Sequence, residues 1–428
     1  MRLDEFVEFE RNERAERRRL VEEKDYGVLD HLDTFQDRFD DALSGDSLVG
    51  SVSPSIFVGR SNYPNVSTGI LSPVGREGDA ERFRTSGAWY DEGVSIGDVF
   101  ERRTGLLNSN RGVSVDDVGA GDGTSVHDAW DGWLGTQREV AIADRPVDVE
   151  IGLDSAPDLD VDVDDVGAPV GPRAHARSAE LGENPHVPRP VKKTLEDDDW
   201  QAQGAMNYLY RRGFDVYEIN TILSAGALGR GANRRLVPTR WSITAVDDTV
   251  GQFVRGSIRD NPTVDRIEVH RNEYMGNAYW VILVPGEWEY ELVEMKAPGS
   301  VWNPDPEAGI YLAAASEGRE GRTGYVEETA GAYYAARLGA LEHLNDRDRQ
   351  AKALVLRHVS DAYWGPVGVW QVREGVRNAF EGEHGTAETF GEAVRGVTEH
   401  LPVSLARLRR KSTMAAGLQA NLGDFVDT

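Results

Sequence analysis

Not one of the 428 residues is cysteine. Disulfides and thiolate metal sites are thereby ruled out, so the fold must rest on buried apolar surface and hydrogen bonding. With 39% hydrophobic residues the chain can fill real cores, and its length suits two or three domains. No apolar run reaches the roughly 18 residues that a membrane helix needs. The opening Met1-Arg-Leu-Asp-Glu5 is charged, unlike a secretory signal, so a cytoplasmic location and no membrane contact are expected.

The formal net charge is −26, and only six of the 47 basic residues are lysine (Lys24, Lys192, Lys193, Lys296, Lys352, Lys411). Acid excess with few lysines points to a halophilic cytoplasm, where a dense carboxylate surface stays hydrated. Acidity ordinarily argues against nucleic-acid binding. At molar salt the Debye length falls to about 3 Å, so local clusters matter more than net charge.

Hydrophobic patterning indicates an α+β chain: a strand-rich N-terminal and central region, a smaller α/β C-terminal part and a flexible C-terminal tail. Residues 1–48 form a charged helical extension with Glu and Arg at helical spacing. Residues 49–300 form the main region, with acidic loops over 112–128 and 155–199. Residues 301–405 form the α/β part, and 406–428 the tail. Residues 200–222 read as one helix. Strands are expected at 241–246, 266–270, 279–284, 288–295, 353–356 and 367–372, with Pro285-Gly286 turning 279–284 and 288–295 into a hairpin. Helices are expected over 325–344, 374–380 and 387–399.

The last ten residues carry Gln419, Leu422, Phe425 and Val426. One tight helical turn would place the three apolar side chains together, with the glutamine beside them to hydrogen-bond. The arrangement resembles a PIP box, the peptide by which DNA replication and repair proteins dock on the sliding clamp PCNA. Val426 departs from the second aromatic that many such peptides carry. A basic cluster (Arg407, Arg409, Arg410, Lys411) and a small-residue stretch over 411–418, suited to a tether, precede it.

Two constellations in the body could carry chemistry. Arg234, Arg235, Arg240 and Trp241 offer planar forks for phosphate and a stacking face for a base. Arg60 and Asn62, on a loop beside Tyr63-Pro64, are a further ligand-contact candidate. In a strand, however, Arg240 and Trp241 would point to opposite faces. Glu294-Met-Lys296 matches a short nuclease pattern in which Glu and Lys, with an upstream acid such as Asp247 or Asp265, hold Mg²⁺ and activate water. An edge-strand ion pair explains the same residues. No two of the nine histidines stand at metal-ligand spacing, so no metal site is expected; Mg²⁺ enters only with the nuclease reading.

Three stretches resemble the Nre family of archaeal DNA repair proteins: Gly59-Arg-Ser-Asn-Tyr-Pro64, Arg235-Leu-Val-Pro-Thr-Arg-Trp-Ser-Ile-Thr-Ala-Val-Asp247 and the terminal peptide. The likeness spans most of residues 50–428. It implies a cytoplasmic role in repair of DNA damage, with docking on the clamp and DNA as a further partner, and leaves enzyme against adaptor open. The four-cysteine zinc site described in the family has no counterpart here, so no zinc is expected.

Overall fold

The computed structural model describes residue 19 and residues 37–44, 46–115, 130–154, 156–158 and 169–418. These form two compact units, one within residues 25–250 and one containing residues 251–428. The chain is α+β, with one mixed sheet in each unit.

The N-terminal unit is built on a seven-stranded sheet. Its strands are β1 (Leu43–Ser44), β2 (Ser47–Val52), β3 (Ile56–Val58), β4 (Asn65–Pro73), β5 (Leu106–Ser114), β6 (Val147–Leu153) and β7 (Arg173–Leu181). The spatial order is β1-β2-β6-β7-β5-β4-β3, antiparallel throughout except at β5 and β7. Alternation sets the burial of β6, where Val147, Val149 and Ile151 enter the core while Asp148 and Glu150 face water. Trp133, Leu134 and Val140 of α3 (Gly132–Ile142) close that core, after α1 (Ala88–Asp91) and α2 (Ile96–Thr104). A capping box between Ser95 and Asp98 starts α2.

The segment expected to be one acidic loop over 155–199 instead contains β7 and α4 (Arg189–Glu196). Where one helix is expected over 200–222, two form, α5 (Ala202–Arg211) and α6 (Val216–Ser224). Gly213 takes φ +87 between them, and Asp215 and Glu218 make a capping box that restarts the helix.

The next element corrects a larger expectation. Residues 241–246 are not a strand but part of α7 (Thr239–Ile258). Their β-branched content suggests a strand locally, yet Ser242, Val246, Val250, Val254 and Ile258 recur at intervals of four and are all buried. That repeat is the face of a helix.

The C-terminal unit carries a six-stranded sheet of β8 (Ile267–Tyr274), β9 (Asn277–Val284), β10 (Glu289–Lys296), β11 (Tyr311–Glu317), β12 (Lys352–Val359) and β13 (Glu383–Ala387), in the order β11-β10-β12-β9-β8-β13. β8 and β9 form a hairpin through Met275 and Gly276, at φ 50 and 68, the left-handed pair of a tight primed turn. A Cβ on Gly276 would stand 2.8 Å from the Tyr363 nitrogen, so glycine is also required sterically. The hairpin expected between β9 and β10 does not form. β12 lies between them, parallel to β10 and antiparallel to β9. Strands from both sides of residue 300 therefore share one sheet.

α8 (Ala330–Asp346) is buried on most of its surface and carries the crossover from β11 to β12. No strand forms at 367–372: its second half begins α9 (Trp370–Ala379), in which Val372, Val376 and Ala379 supply a buried helical stripe. α10 (Phe390–Thr398) and α11 (Leu405–Lys411) follow, then the short α12 (Thr413–Ala416). Residues 406–418, expected within a flexible tail, are packed: Leu408 and Ala415 are fully buried, and Leu418 lies against the same core.

The packed end is fixed by one carboxylate. Glu291, 1% exposed on β10, accepts hydrogen bonds from Ser412 Oγ (2.7 Å), the Thr413 amide (2.6 Å) and the Met414 amide (2.8 Å). The carboxylate thereby satisfies amides that the first turn of α12 leaves unpaired. Glu291→Ala is expected to release α12. Hydrogen exchange should then show lost protection at Thr413 and Met414, with the central strands β9 and β12 unchanged.

Candidate functional site

The amide of Val58, at the end of β3, donates to Thr239 Oγ1 (2.9 Å) at the start of α7. Thr239 Oγ1 also lies 3.2 Å from Ser224 Oγ, which donates to the Val237 carbonyl (2.8 Å). These bonds set the loop of residues 59–64 beside the first turn of α7. The loop closes through Asn65 N–H to the Asn62 carbonyl (2.8 Å), with Asn62 in the left-handed region at φ 64. Asparagine is among the few non-glycine residues that adopt this conformation readily.

Two aromatic rings meet where these segments join. Tyr63 and Trp241 are each 46% exposed, with ring centroids 5.1 Å apart and planes inclined at 52°. Exposed aromatics in contact present a broad apolar face to solvent. Arg60 and Asn62 flank Tyr63 in the exposed loop; Arg235 is exposed and Arg240 half-buried near the start of α7. In the helix, Arg240 and Trp241 are successive residues of one turn rather than occupants of opposite strand faces. The arrangement combines stacking surface, guanidinium groups and the amide end of a 20-residue helix, features that suit bases and phosphates.

Arg234 does not belong to this surface. It is buried, its Nε donating to the Gly229 carbonyl (3.0 Å) and its Nη2 to the carbonyls of Thr194 (3.2 Å) and Leu195 (2.9 Å). It thus satisfies the last carbonyls of α4, a structural use of the guanidinium fork.

Of the residues in the nuclease reading, Asp247 and Glu294 are buried and Lys296 is half-buried, whereas the alternative acid Asp265 is exposed. Asp247 is fully buried on α7 in the N-terminal unit. Glu294 is 2% exposed on β10, where its Oε1 accepts from Arg357 Nη1 and its Oε2 lies 3.4 Å from Lys296 Nζ. Arg357, 3% exposed, also donates through Nε to Asn277 Oδ1 (2.9 Å) and through Nη2 to Gln371 Oε1 (3.4 Å). Burial acts to lower the Arg357 pKa, but Tyr279, Glu294 and Tyr363 outweigh it and hold the guanidinium charged. Both carboxylate oxygens of Glu294 thus face cations supplied by the protein. The geometry is that of a buried ion pair.

A cluster that sequence spacing conceals lies on β8 and α8. Ligand atoms of Glu268, His270 and His343 fall within 4.8 Å of one another. Arg347 donates to Glu268 through Nη1 (2.7 Å) and Nη2 (2.9 Å), and His270 Nε2 stands 3.3 Å from Glu268 Oε2. Arg347 hydrogen bonding, opposed by burial and helped by His270, depresses the Glu268 pKa to about 2. Burial, with the neighbouring charges of His270 and Arg347, lowers His343 to about 4.

The terminal peptide Gln419, Leu422, Phe425 and Val426 lies outside the described residues, which end at Leu418. The stretch before it is not a loose tether: Arg407 Nη2 donates to the Ile310 carbonyl, and Lys411 Nζ to Glu328 Oε2 (2.8 Å).

Fold and surface together define a two-unit α+β protein with an exposed aromatic and arginine face. The archaeal Nre N-terminal model matches residues 20–303 and the archaeal Nre C-terminal model residues 317–425. The chain belongs to the archaeal Nre family. It is 74% identical over 427 residues to the DNA repair protein NreA of Haloferax volcanii, covering 99% of this chain and 100% of that one. It is 35% identical over 380 residues to the DNA repair protein NreB of Archaeoglobus fulgidus, covering 89% and 92%. The DNA repair protein NreA of that organism is 36% identical over 348 residues, covering 81% and 84%. No solved structure matches.

The Glu294–Arg357 pair yields a direct test. Arg357→Ala leaves a buried carboxylate facing only Lys296 and is expected to destabilise the chain by about 3–5 kcal/mol in denaturant unfolding. A loss below about 1 kcal/mol would show that the pair is hydrated.

Proposed function

We propose that this chain acts in DNA repair, contacting DNA through the face formed by Tyr63 and Trp241 and docking on the sliding clamp through its terminal peptide. The observation that carries the DNA contact is the exposed aromatic pair at the start of α7, flanked by Arg60, Asn62, Arg235 and Arg240. The repair role itself rests on family membership and on three relatives that are all named DNA repair proteins. A cytoplasmic location accords with that role, and no helix among the described residues is long and apolar enough to cross a membrane.

Stacking suits an acidic protein working in salt. Phosphate contacts weaken steeply as salt rises, whereas base–aromatic stacking contributes roughly 1–3 kcal/mol per base and does not depend on net charge. Trp241→Ala is therefore expected to weaken single-stranded or gapped DNA binding by tenfold or more, as read by fluorescence anisotropy at molar potassium chloride, and Tyr63→Ala should have a similar effect. Both side chains are exposed, so thermal stability should hardly change. Equal affinity in parent and double variant would overturn the assignment.

The clamp contact is carried by Gln419, Leu422, Phe425 and Val426. Docking through this peptide raises local concentration at the clamp without tight DNA affinity. Phe425→Ala should abolish co-purification with PCNA while leaving DNA binding intact. Undiminished capture would remove the clamp from the reading.

A further inference from the structure

Two histidines 73 positions apart in sequence, and one glutamate, converge between β8 and the C-terminal end of α8. We propose that Glu268, His270 and His343 bind one divalent transition-metal ion of the zinc type. The donors are one carboxylate oxygen and two imidazole nitrogens, the set that borderline-soft divalent ions prefer. Their ligand atoms already lie within 4.8 Å of one another. Bonds of about 2.0–2.2 Å in a tetrahedral site need donors roughly 3.3–3.6 Å apart, so closure asks for a shift of about 1 Å.

Three features distinguish this cluster from an ordinary ion pair. His270 is 6% exposed, and its Nδ1 is buried without a hydrogen-bond partner among the described residues. A buried ring nitrogen left in that state is costly, and a metal ion in the cluster changes the environment that burial imposes on it. The rings of His270 and His343 meet edge-on with centroids 5.7 Å apart, so the two imidazoles already stand side by side. A third histidine stands next to the set. His384 on β13 pairs directly with His270 across the sheet, with ring centroids 6.2 Å apart, and is a further imidazole beside the set.

Arg347 now fills the cationic role. It holds both Glu268 oxygens, and its Nη1 lies 3.1 Å from His343 Nε2, so it competes with a metal for two of the three ligands. Its side chain is 38% exposed, which leaves it room to turn towards solvent. An ion bound here would link β8 to α8 across a unit that has no disulfide.

Competition with Arg347 separates a metal site from an ion pair. The full-length chain, stripped with chelator, is titrated with zinc sulfate by calorimetry and with Co²⁺ by visible absorption. One equivalent should bind, with the intense d–d bands of tetrahedral nitrogen and oxygen ligation. Affinity should fall by about tenfold or more in His343→Gln and in Glu268→Gln. Arg347→Ala should bind more tightly than the parent. Thermal melts in chelator identify which variants fold, and His343, half-buried at the rim, is the more tolerant position. The proposal fails if uptake is not saturable, if both glutamine variants bind as the parent does, or if Arg347→Ala gains no affinity.

Discussion

The C-terminal unit depends on the Arg357 guanidinium having no path to water. It sits near the end of β12, the strand inserted between β9 and β10, and is bonded to Asn277 on β9, Glu294 on β10 and Gln371 on α9. Three elements distant in sequence must therefore meet before the charge is satisfied. A second enclosed network repeats the principle. Glu317 on β11 accepts from Trp288 Nε1 (2.9 Å), Tyr333 Oη (3.0 Å) and Arg337 Nη1 (2.9 Å), with both charged side chains nearly inaccessible. Such networks contribute little net stability but strongly penalise alternative arrangements that strand one charge.

This places the scarcity of lysine in a different light. The composition suggests a surface adaptation to salt, yet several arginines serve the interior: Arg138, Arg234, Arg337, Arg357 and Arg373 are all buried. A planar guanidinium with five donors can satisfy several carbonyls or a carboxylate in fixed directions, where an ammonium is a hydrated point charge. Arg234 shows the consequence for function. Sequence places it beside Arg235 and Trp241 as a DNA contact, but its fork is spent on the carbonyls of Gly229, Thr194 and Leu195.

What the sequence disclosed follows from how local each signal is. β8, β9, β10 and β12 are legible because each is a continuous apolar or alternating run. Their order is not, because β12 reaches its place between β9 and β10 only after β11 and α8, and Pro285-Gly286 suggests a nearer pairing. α7 is misread because three β-branched residues (Ile243, Thr244 and Val246) within six outweigh a period of four that emerges only over its whole length. The candidate surface was half legible. Trp241, Arg60 and Asn62 stand out in sequence, but their meeting depends on Thr239 accepting the Val58 amide, and Tyr63 gains its role only through that contact. The histidine cluster left no sequence signal, since β8 and α8 bring together residues that no motif spacing relates.

The two best-supported contact regions differ in how they meet salt. The Tyr63–Trp241 face offers polarisable rings whose attraction for a base survives screening, with arginines whose long-range pull is lost beyond about 3 Å at molar ionic strength. The root of the terminal peptide depends instead on Glu291, whose bonds to Ser412, Thr413 and Met414 are shielded from solvent and hence from ions. Screening weakens exposed charge pairs far more than buried ones. The bonds that anchor α12 are thus enclosed, while ion pairs such as Arg259–Glu320 and Lys411–Glu328 stand exposed to screening, and the Tyr63 and Trp241 rings face solvent. The net charge of −26 then governs hydration, while the recognition proposed for this chain rests on a few exposed side chains.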